Sequence, residues 1–374
     1  MTPTATPTRH LYVHVPFCAR RCSYCDFSIA VRRNVPVDEY LEALSLELAS
    51  HTGELSLDTL YLGGGTPSTL GGPGIARLID LVGRRAEFSP DAEITIEANP
   101  DDVTREAANA WRAAGVNRVS LGGQSFDPAV LEWMHRTHDA NQLPRAISVL
   151  RDAGIEDVSL DLIFALPSVL NRDWPADVER TLALAPTHVS LYGLTIEPHT
   201  PLGRWHSRGR IVEADEDAYE REFLHAHDAL TAAGYDHYEV SNFARPGRRA
   251  RHNSAYWRGV PYAAVGPSAH RLDGTTRSWN VAPYAEWRDR LARGESPLGG
   301  SEALSEANRA AERVYLGLRT TYGLESSDAE LRLARPWVDA GWATLRSPRT
   351  IVLTPLGWLR LDALAASLTV AGSY

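Results

Sequence analysis

The sequence predicts an α/β protein: a partial, TIM-like (βα)6 barrel followed by a small, mostly α, winged-helix-like C-terminal domain. Short β-branched runs alternate with longer amphipathic stretches through the first two thirds of the chain, the pattern of strand-helix units around a parallel sheet. The apolar stripes of those runs suit strands buried on both faces. From about Ser305 the pattern changes to helical stretches around one hairpin.

Six strands are expected, in order: LYVHV (11–15), TLYLG (59–63), EITIEA (93–98), RVSLG (118–122), DVSLDLIFAL (157–166) and HVSLYGL (188–194). Helices are expected between them near 38–51, 74–85, 104–114, 140–153 and 173–184. The domain reading is a disordered tail over 1–10, the barrel over 11–245, a loop and hairpin region rich in Gly, Pro, Arg and aromatics over 246–300, and an α-rich unit over 301–374. A barrel places its chemistry at the C-terminal ends of its strands. Glu97, Gln124, Asp161, the turn at 63–66 and the loop after the first strand all fall there.

Composition removes several classes of function. The net charge of -9 argues against nucleic acid as a partner. Residues 305–374 carry 8 Arg against 7 Asp plus Glu, so the C-terminal unit has no basic recognition face. All 38 basic residues are arginine, which excludes lysine imine chemistry and makes GGGT (63–66) no phosphate loop of the Walker type. No apolar run of about 18 residues and no secretory leader is visible, so the expected compartment is the cytoplasm.

All three cysteines lie in CARRCSYCDF: Cys18, Cys22 and Cys25, spaced C-x3-C-x2-C after a strand. An odd count in a reducing compartment is not a disulfide framework. A closed zinc site wants four ligands, with His14 as a conceivable fourth. A 4Fe-4S cluster normally takes four thiolates, so three leave one iron open to a small molecule. The spacing favours the cluster over zinc.

At this point the chain resembles the radical S-adenosylmethionine (SAM) superfamily. The resemblance implies that the methionine amine and carboxylate chelate the open iron and that the reduced cluster cleaves the sulfonium. It implies further that Gly64, Gly65 and Thr66 of YLGGGTPS bind the amine and that Glu97 of EITIEANP neutralises it. Gln124 of SLGGQSF and Asp161 of DLIFALP would bind the ribose, and Arg136 of MHRTH would clamp the carboxylate. Tyr24 would shield the cluster or pack on the adenine, and Tyr12 would face the substrate side. Gly123 stands where relatives usually have a β-branched residue, and Ala165 and Ser168 where glycines are common.

Within that superfamily the chain is similar to the oxygen-independent coproporphyrinogen III oxidases and their relatives, through SLYGLTIEPHTPL (190–202), HYEVSNFARPG (237–247) and RHNSAYWRG (251–259). The oxidases carry a fourth cysteine where this chain has Phe27, and only 17 residues precede Cys18. Both departures point to the sister group, the heme chaperones of the HemW type, with their H-N-x-x-Y-W motif. That resemblance implies heme as a further ligand, with His252 as axial ligand, Asn253 in the motif, Tyr256 and Trp257 stacked on the macrocycle, and Arg248, Arg249, Arg251 and Arg258 meeting propionates. It implies delivery of heme to an acceptor protein such as a membrane respiratory enzyme. The catalytic alternatives are decarboxylation of coproporphyrinogen III and another radical reaction on a porphyrin-related substrate. No C-x-x-C-H site for thioether attachment of heme exists.

Overall fold

The structure is a computed structural model that describes residues 7–51 and 53–371. Six parallel strands form its centre: β1 (Thr8–Val15), β2 (Leu55–Gly64), β3 (Glu87–Ala98), β4 (Arg118–Gln124), β5 (Asp157–Phe164) and β6 (His188–Gly193). All six coincide with expected strands. Two additions extend the sheet. The hairpin β7 (Asp236–Glu239) and β8 (Asn242–Ala244) joins antiparallel to β6, and β9 (Ala263–Val265) lies parallel to β1. The order is β9-β1-β2-β3-β4-β5-β6-β8-β7, an open sheet in which β9 and β7 are the two edges.

The crossover helices are α1 (Val37–Ser50), α2 (Gly71–Gly83), α3 (Arg105–Ala113), α4 (Gln142–Asp152) and α5 (Trp174–Leu184), with α6 (Glu216–Ala232) after β6. Their starts follow local chemistry. The side chains of Thr104, Asp173 and Asp215 each accept a backbone N–H from the first turn of the helix they precede. Leu11, Val13, Leu60, Leu62, Ile96, Val119, Leu121, Val158, Leu160 and Val189 are fully buried and, in register, share one face of the sheet. The opposite face carries His10, Thr59, Thr95, Arg118, Ser120, Ser159 and His188, which are buried but polar, so the expectation of strands apolar on both faces holds for one face only.

Two expectations need correction. Thr8 to His10, expected within a disordered tail over 1–10, belong to β1; residues 1–6 of that expectation lie outside the described residues. The region 246–300 is not loop and hairpin alone. The H-N-x-x-Y-W motif forms helix α7 (Arg251–Trp257), and α8 (Tyr284–Ala292) sits beside a three-stranded antiparallel sheet of 270–273, 276–280 and 298–303. The cause of α7 is distant in sequence. Both oxygens of Glu93, in the middle of β3, accept the first free N–H groups of the helix, from Arg251 (2.9 Å) and His252 (3.0 Å). Buried Glu47 of α1 gathers the same region to the barrel by accepting from Gly266 N (2.9 Å), Asn280 Nδ2 (2.6 Å) and Trp287 Nε1 (2.8 Å).

The C-terminal unit is helix, strand, helix, hairpin, helix: α9 (Glu306–Arg319), 324–325, α10 (Asp328–Asp339), 343–353 and α11 (Leu361–Ala371). Ser327 and Glu330 close a capping box on α10. The unit is docked on the barrel's added hairpin through Thr321 N to Tyr238 O (2.9 Å) and a buried ion pair of Arg319 Nε with Glu239 Oε2 (2.9 Å).

Candidate cofactor site at the strand ends

A cavity of about 430 Å³ opens at the C-terminal ends of β2 to β6. Cys18, Cys22, Cys25, Tyr24, Gly64, Gly65, Thr66, Glu97, Gln124, Arg136 and Asp161 all line it. Twelve residues were expected at the cluster and SAM site, and only Tyr12 is not among the lining residues. Tyr12 sits one layer deeper, its hydroxyl 3.3 Å from His14 Nδ1 and its ring near-parallel to that of Tyr61 (centroids 6.1 Å apart, 23°).

The cysteine loop leaves β1 through Pro16 and is tied at three points. Thr66 N donates to Phe17 O (2.7 Å), Ser23 N to Met134 O (3.1 Å) and Leu202 N to Ser23 O (2.8 Å). All three cysteines are free thiols. Cys18 Sγ lies 3.3 Å from Thr66 Oγ1. Burial pushes the Cys18 thiol up, and pushes Cys25 up to about 11. Bound iron reverses that preference, because a coordinating thiol is deprotonated. Phe27, at the fourth-cysteine position of the oxidases, is 64% exposed at the cavity mouth.

The glycine turn brings backbone close to the loop. Gly64 has φ +111°, a conformation that an L side chain rarely adopts. Gly65 donates its N–H to Val15 O (2.8 Å), and a Cβ there would lie 2.7 Å from Phe17 O and from Pro16 C. Gly65→Ala is therefore expected to destabilise the fold by about 1–3 kcal/mol through overpacking and to displace the cysteine loop. Thermal melting and iron content after reconstitution check both effects.

Glu97 is the electrostatic centre of the cavity. Its Oε1 accepts from Tyr61 Oη (2.9 Å) and its Oε2 from Gly64 N (3.0 Å). Its pKa is nonetheless raised to about 7, by burial first, with the Asp161 carboxylate adding to the rise. The side chain keeps some accessible area on the wall of a cavity that opens to solvent, while its carboxyl end is packed against Tyr61 and Gly64, and that burial raises its proton affinity. Asp161 is also pushed up by burial, while Ser120 Oγ (3.0 Å) and Ser159 Oγ (3.2 Å) donate to it. Two buried carboxylates on one cavity form a seat for a cation.

Arg136 faces the thiols. The short helix Pro128–Trp133 ends in a turn with His135 at φ +59°, which swings Arg136 inward. Its Nη2 donates to Asn99 Oδ1 (2.6 Å) and Gly122 O (2.8 Å), and its Nη1 lies 3.6 Å from Cys22 Sγ. Its Nε is buried without a partner, so donor capacity remains for an anion. Gln124 reaches the cavity from a backbone at φ +67°, where β4 bulges. The donor set fits SAM: a cation seat at Glu97, an anion clamp at Arg136, polar groups at Gln124 and Asp161, and three thiols on the same wall.

Asn99, Ser120 and Tyr61 orient these groups and were not singled out from sequence. Asn99 stands two residues after Glu97, which is the signal that was available. The motif departures find causes here. A Cβ at Gly123 would lie 2.8 Å from Leu160 Cδ1, so Leu160 occupies that space. Ala165 sits at φ +55°, where glycine is easier. Ala165→Gly is expected to raise stability by about 0.5–1 kcal/mol, read as a higher thermal midpoint.

The expected heme residues lie elsewhere, on and beside α7, which is anchored at Glu93 in the middle of β3. His252 is fully buried, with Nδ1 2.6 Å from Thr59 Oγ1 and Nε2 2.7 Å from Tyr256 Oη. Burial lowers its pKa to about 3. Neither nitrogen is open to a metal in this conformation. Tyr256 packs edge-on to Tyr262, and Trp257 lies under the Arg319 guanidinium at 4.1 Å. Asn253 is half-buried on the same helix. Arg248, Arg249 and Arg251 face Asp157 (3.9 Å), Asp236 (3.6 Å) and Asp91 (3.3 Å), and Arg258 is exposed.

Residues 12–180 match the radical SAM superfamily. The chain is 37% identical over 367 residues to a heme chaperone HemW of Mycobacterium tuberculosis, covering 96% of this chain and 94% of that protein. It is 36% identical over 335 residues to a heme chaperone HemW of Synechocystis sp., covering 87% and 80%. The fold is similar to that of the coproporphyrinogen III oxidase HemN of Escherichia coli, with a TM-score of 0.81, 22% identity, and coverage of 99% of this chain and 92% of that one.

Proposed function

The chain belongs to the heme chaperone HemW family within the radical SAM superfamily, and on that premise we propose that it binds a 4Fe-4S cluster, SAM and heme and passes heme to an acceptor protein. The observation that carries the cofactor part is the single cavity on which Cys18, Cys22, Cys25, Glu97 and Arg136 meet. Cys18, Cys22 and Cys25 would hold three irons. When bound, the cluster supplies a low-potential electron beside the sulfonium. Glu97 and the backbone of Gly64 to Thr66 would seat the ammonium, Arg136 would pair with the carboxylate, Gln124 and Asp161 would take the ribose hydroxyls, and Tyr24 would cover the adenine side. Glu97 must be ionised to do this, and the turn at Gly64 holds it in place with a backbone N–H.

Heme is proposed on α7, with Asn253, Tyr256 and Trp257 around it. Ligation by His252 requires α7 to leave its present seat, since both ring nitrogens are engaged there. The acceptor is proposed to be a heme-requiring respiratory protein. No helix among the described residues is long and apolar enough to cross a membrane.

Heme titration of the anaerobically reconstituted protein, followed at the Soret band, tests the reading, with coproporphyrinogen III turnover assayed alongside. Saturable binding at one heme per chain without turnover is expected. In wild type the binding is expected to be slow, and in His252→Ala it is expected to be lost. Rapid binding that survives His252→Ala moves the heme site off α7. Turnover without saturable binding replaces the chaperone with an oxidase.

A further inference from the structure

The H-N-x-x-Y-W helix touches the cation seat through a continuous set of contacts. His252 cannot turn its ring, because Thr59 Oγ1 holds Nδ1 at 2.6 Å and Tyr256 Oη holds Nε2 at 2.7 Å. Thr59 is itself held by His10 Nδ1 at 3.0 Å. The fixed imidazole stacks on Tyr61 with centroids 5.1 Å apart and planes at 28°. Tyr12 is the second near-parallel ring against Tyr61. Held in this way, Tyr61 directs its hydroxyl at Glu97 Oε1 (2.9 Å), and Glu97 turns its other oxygen to Gly64 N.

We propose that His252 is a positioning residue of the SAM site: it fixes the Tyr61 ring and thereby the carboxylate of Glu97 that receives the ammonium. The proposal rests on the reading of Glu97 as that seat. It gives the motif histidine a role in the closed protein that is separate from any bond to heme iron. It also makes the two ligands antagonists wherever α7 has to leave its seat, since a ligand that withdraws His252 frees Tyr61. Coupling of this kind is reciprocal, so SAM would weaken heme binding by the same factor.

The test is the dissociation constant of labelled SAM by equilibrium dialysis on the reconstituted full chain, with iron content and thermal midpoint measured on the same samples. Tyr61→Phe keeps the ring and removes the hydroxyl, and is expected to weaken SAM about tenfold at full iron content, the scale of one hydrogen bond to a charged group. His252→Gln, which loses the ring, is expected to match it, while His252→Phe, which keeps a stacking ring, is expected to bind SAM more tightly than His252→Gln even where its midpoint is lower. Wild-type SAM affinity in His252→Gln would overturn the proposal, whatever Tyr61→Phe shows. Wild-type affinity in Glu97→Gln would instead remove the cation seat beneath it. Should the His252 variants fail to take up iron, Thr59→Val, which removes the hydroxyl that holds His252 Nδ1, decides: weakened SAM binding supports the proposal and wild-type affinity overturns it.

Discussion

Single replacement of Cys18, Cys22 or Cys25 by alanine is expected to abolish cluster assembly, with iron falling from about four per chain to near zero and SAM binding falling with it. The expected loss is large because two thiolates cannot replace three at the cavity wall. Folding should survive. Cys18 is buried against Thr66, and losing one sulfur atom there costs about 1 kcal/mol, a small part of the stability of a core this size. His14→Gln is the control. Its Nε2 lies 3.0 Å from Ser28 O and its Nδ1 faces Tyr12 Oη, so it is not poised as a fourth ligand and iron should stay at the wild-type level. Zinc in place of iron, lost on changing His14, would reverse the assignment.

Glu97→Gln is expected to weaken SAM by roughly 10–100-fold while making the ligand-free protein more stable above neutral pH. The two effects have one cause. The carboxyl titrates at about 7 in the folded chain against an ordinary value of 4.5, so the folded state favours its protonated form. Such a group contributes stability in full below about 4.5 and loses it as pH rises through 7. Above that point the ionised, buried carboxylate costs on the order of 3 kcal/mol, which glutamine avoids and a bound ammonium offsets. SAM affinity should therefore fall about tenfold per pH unit below 7, and the slope should vanish in Glu97→Gln. Dialysis between pH 6 and 8 reads the slope, and thermal melting of the ligand-free protein at pH 8 reads the stability.

The sheet was legible because its strands are short β-branched runs with a residue of distinct chemistry near the C-terminal end: Glu97 is the penultimate residue of EITIEA, and Gln124 lies two residues past RVSLG. One face apolar and the other buried but polar leaves an alternating mark in the sequence. The three thiols were legible from spacing alone. What the sequence hid depends on partners far along the chain. Helix α7 forms where Arg, Gly and Pro cluster because Glu93, more than 150 residues away, caps its first turn. Tyr12 lies a layer below the cavity because Gly63, which leaves no room for a Cβ beside Tyr12 and Tyr61, lets those rings pack beneath the turn. His252 carries the composition of a metal ligand, and only the positions of Thr59 and Tyr256 reveal that both nitrogens are in use. A sequence reports which groups are present, and the register of β2 against α7 decides which of them are free.

The most direct measurement is electron paramagnetic resonance of the anaerobically reconstituted, reduced protein before and after SAM is added, on samples whose iron and sulfide have been counted. About four iron and four sulfide per chain, with a cluster signal that shifts on adding SAM and does not shift in Arg136→Leu, is the predicted result. A full cluster whose signal ignores SAM in the wild type would mean that no iron is open to it, and that three cysteines on one cavity do not make the site described here.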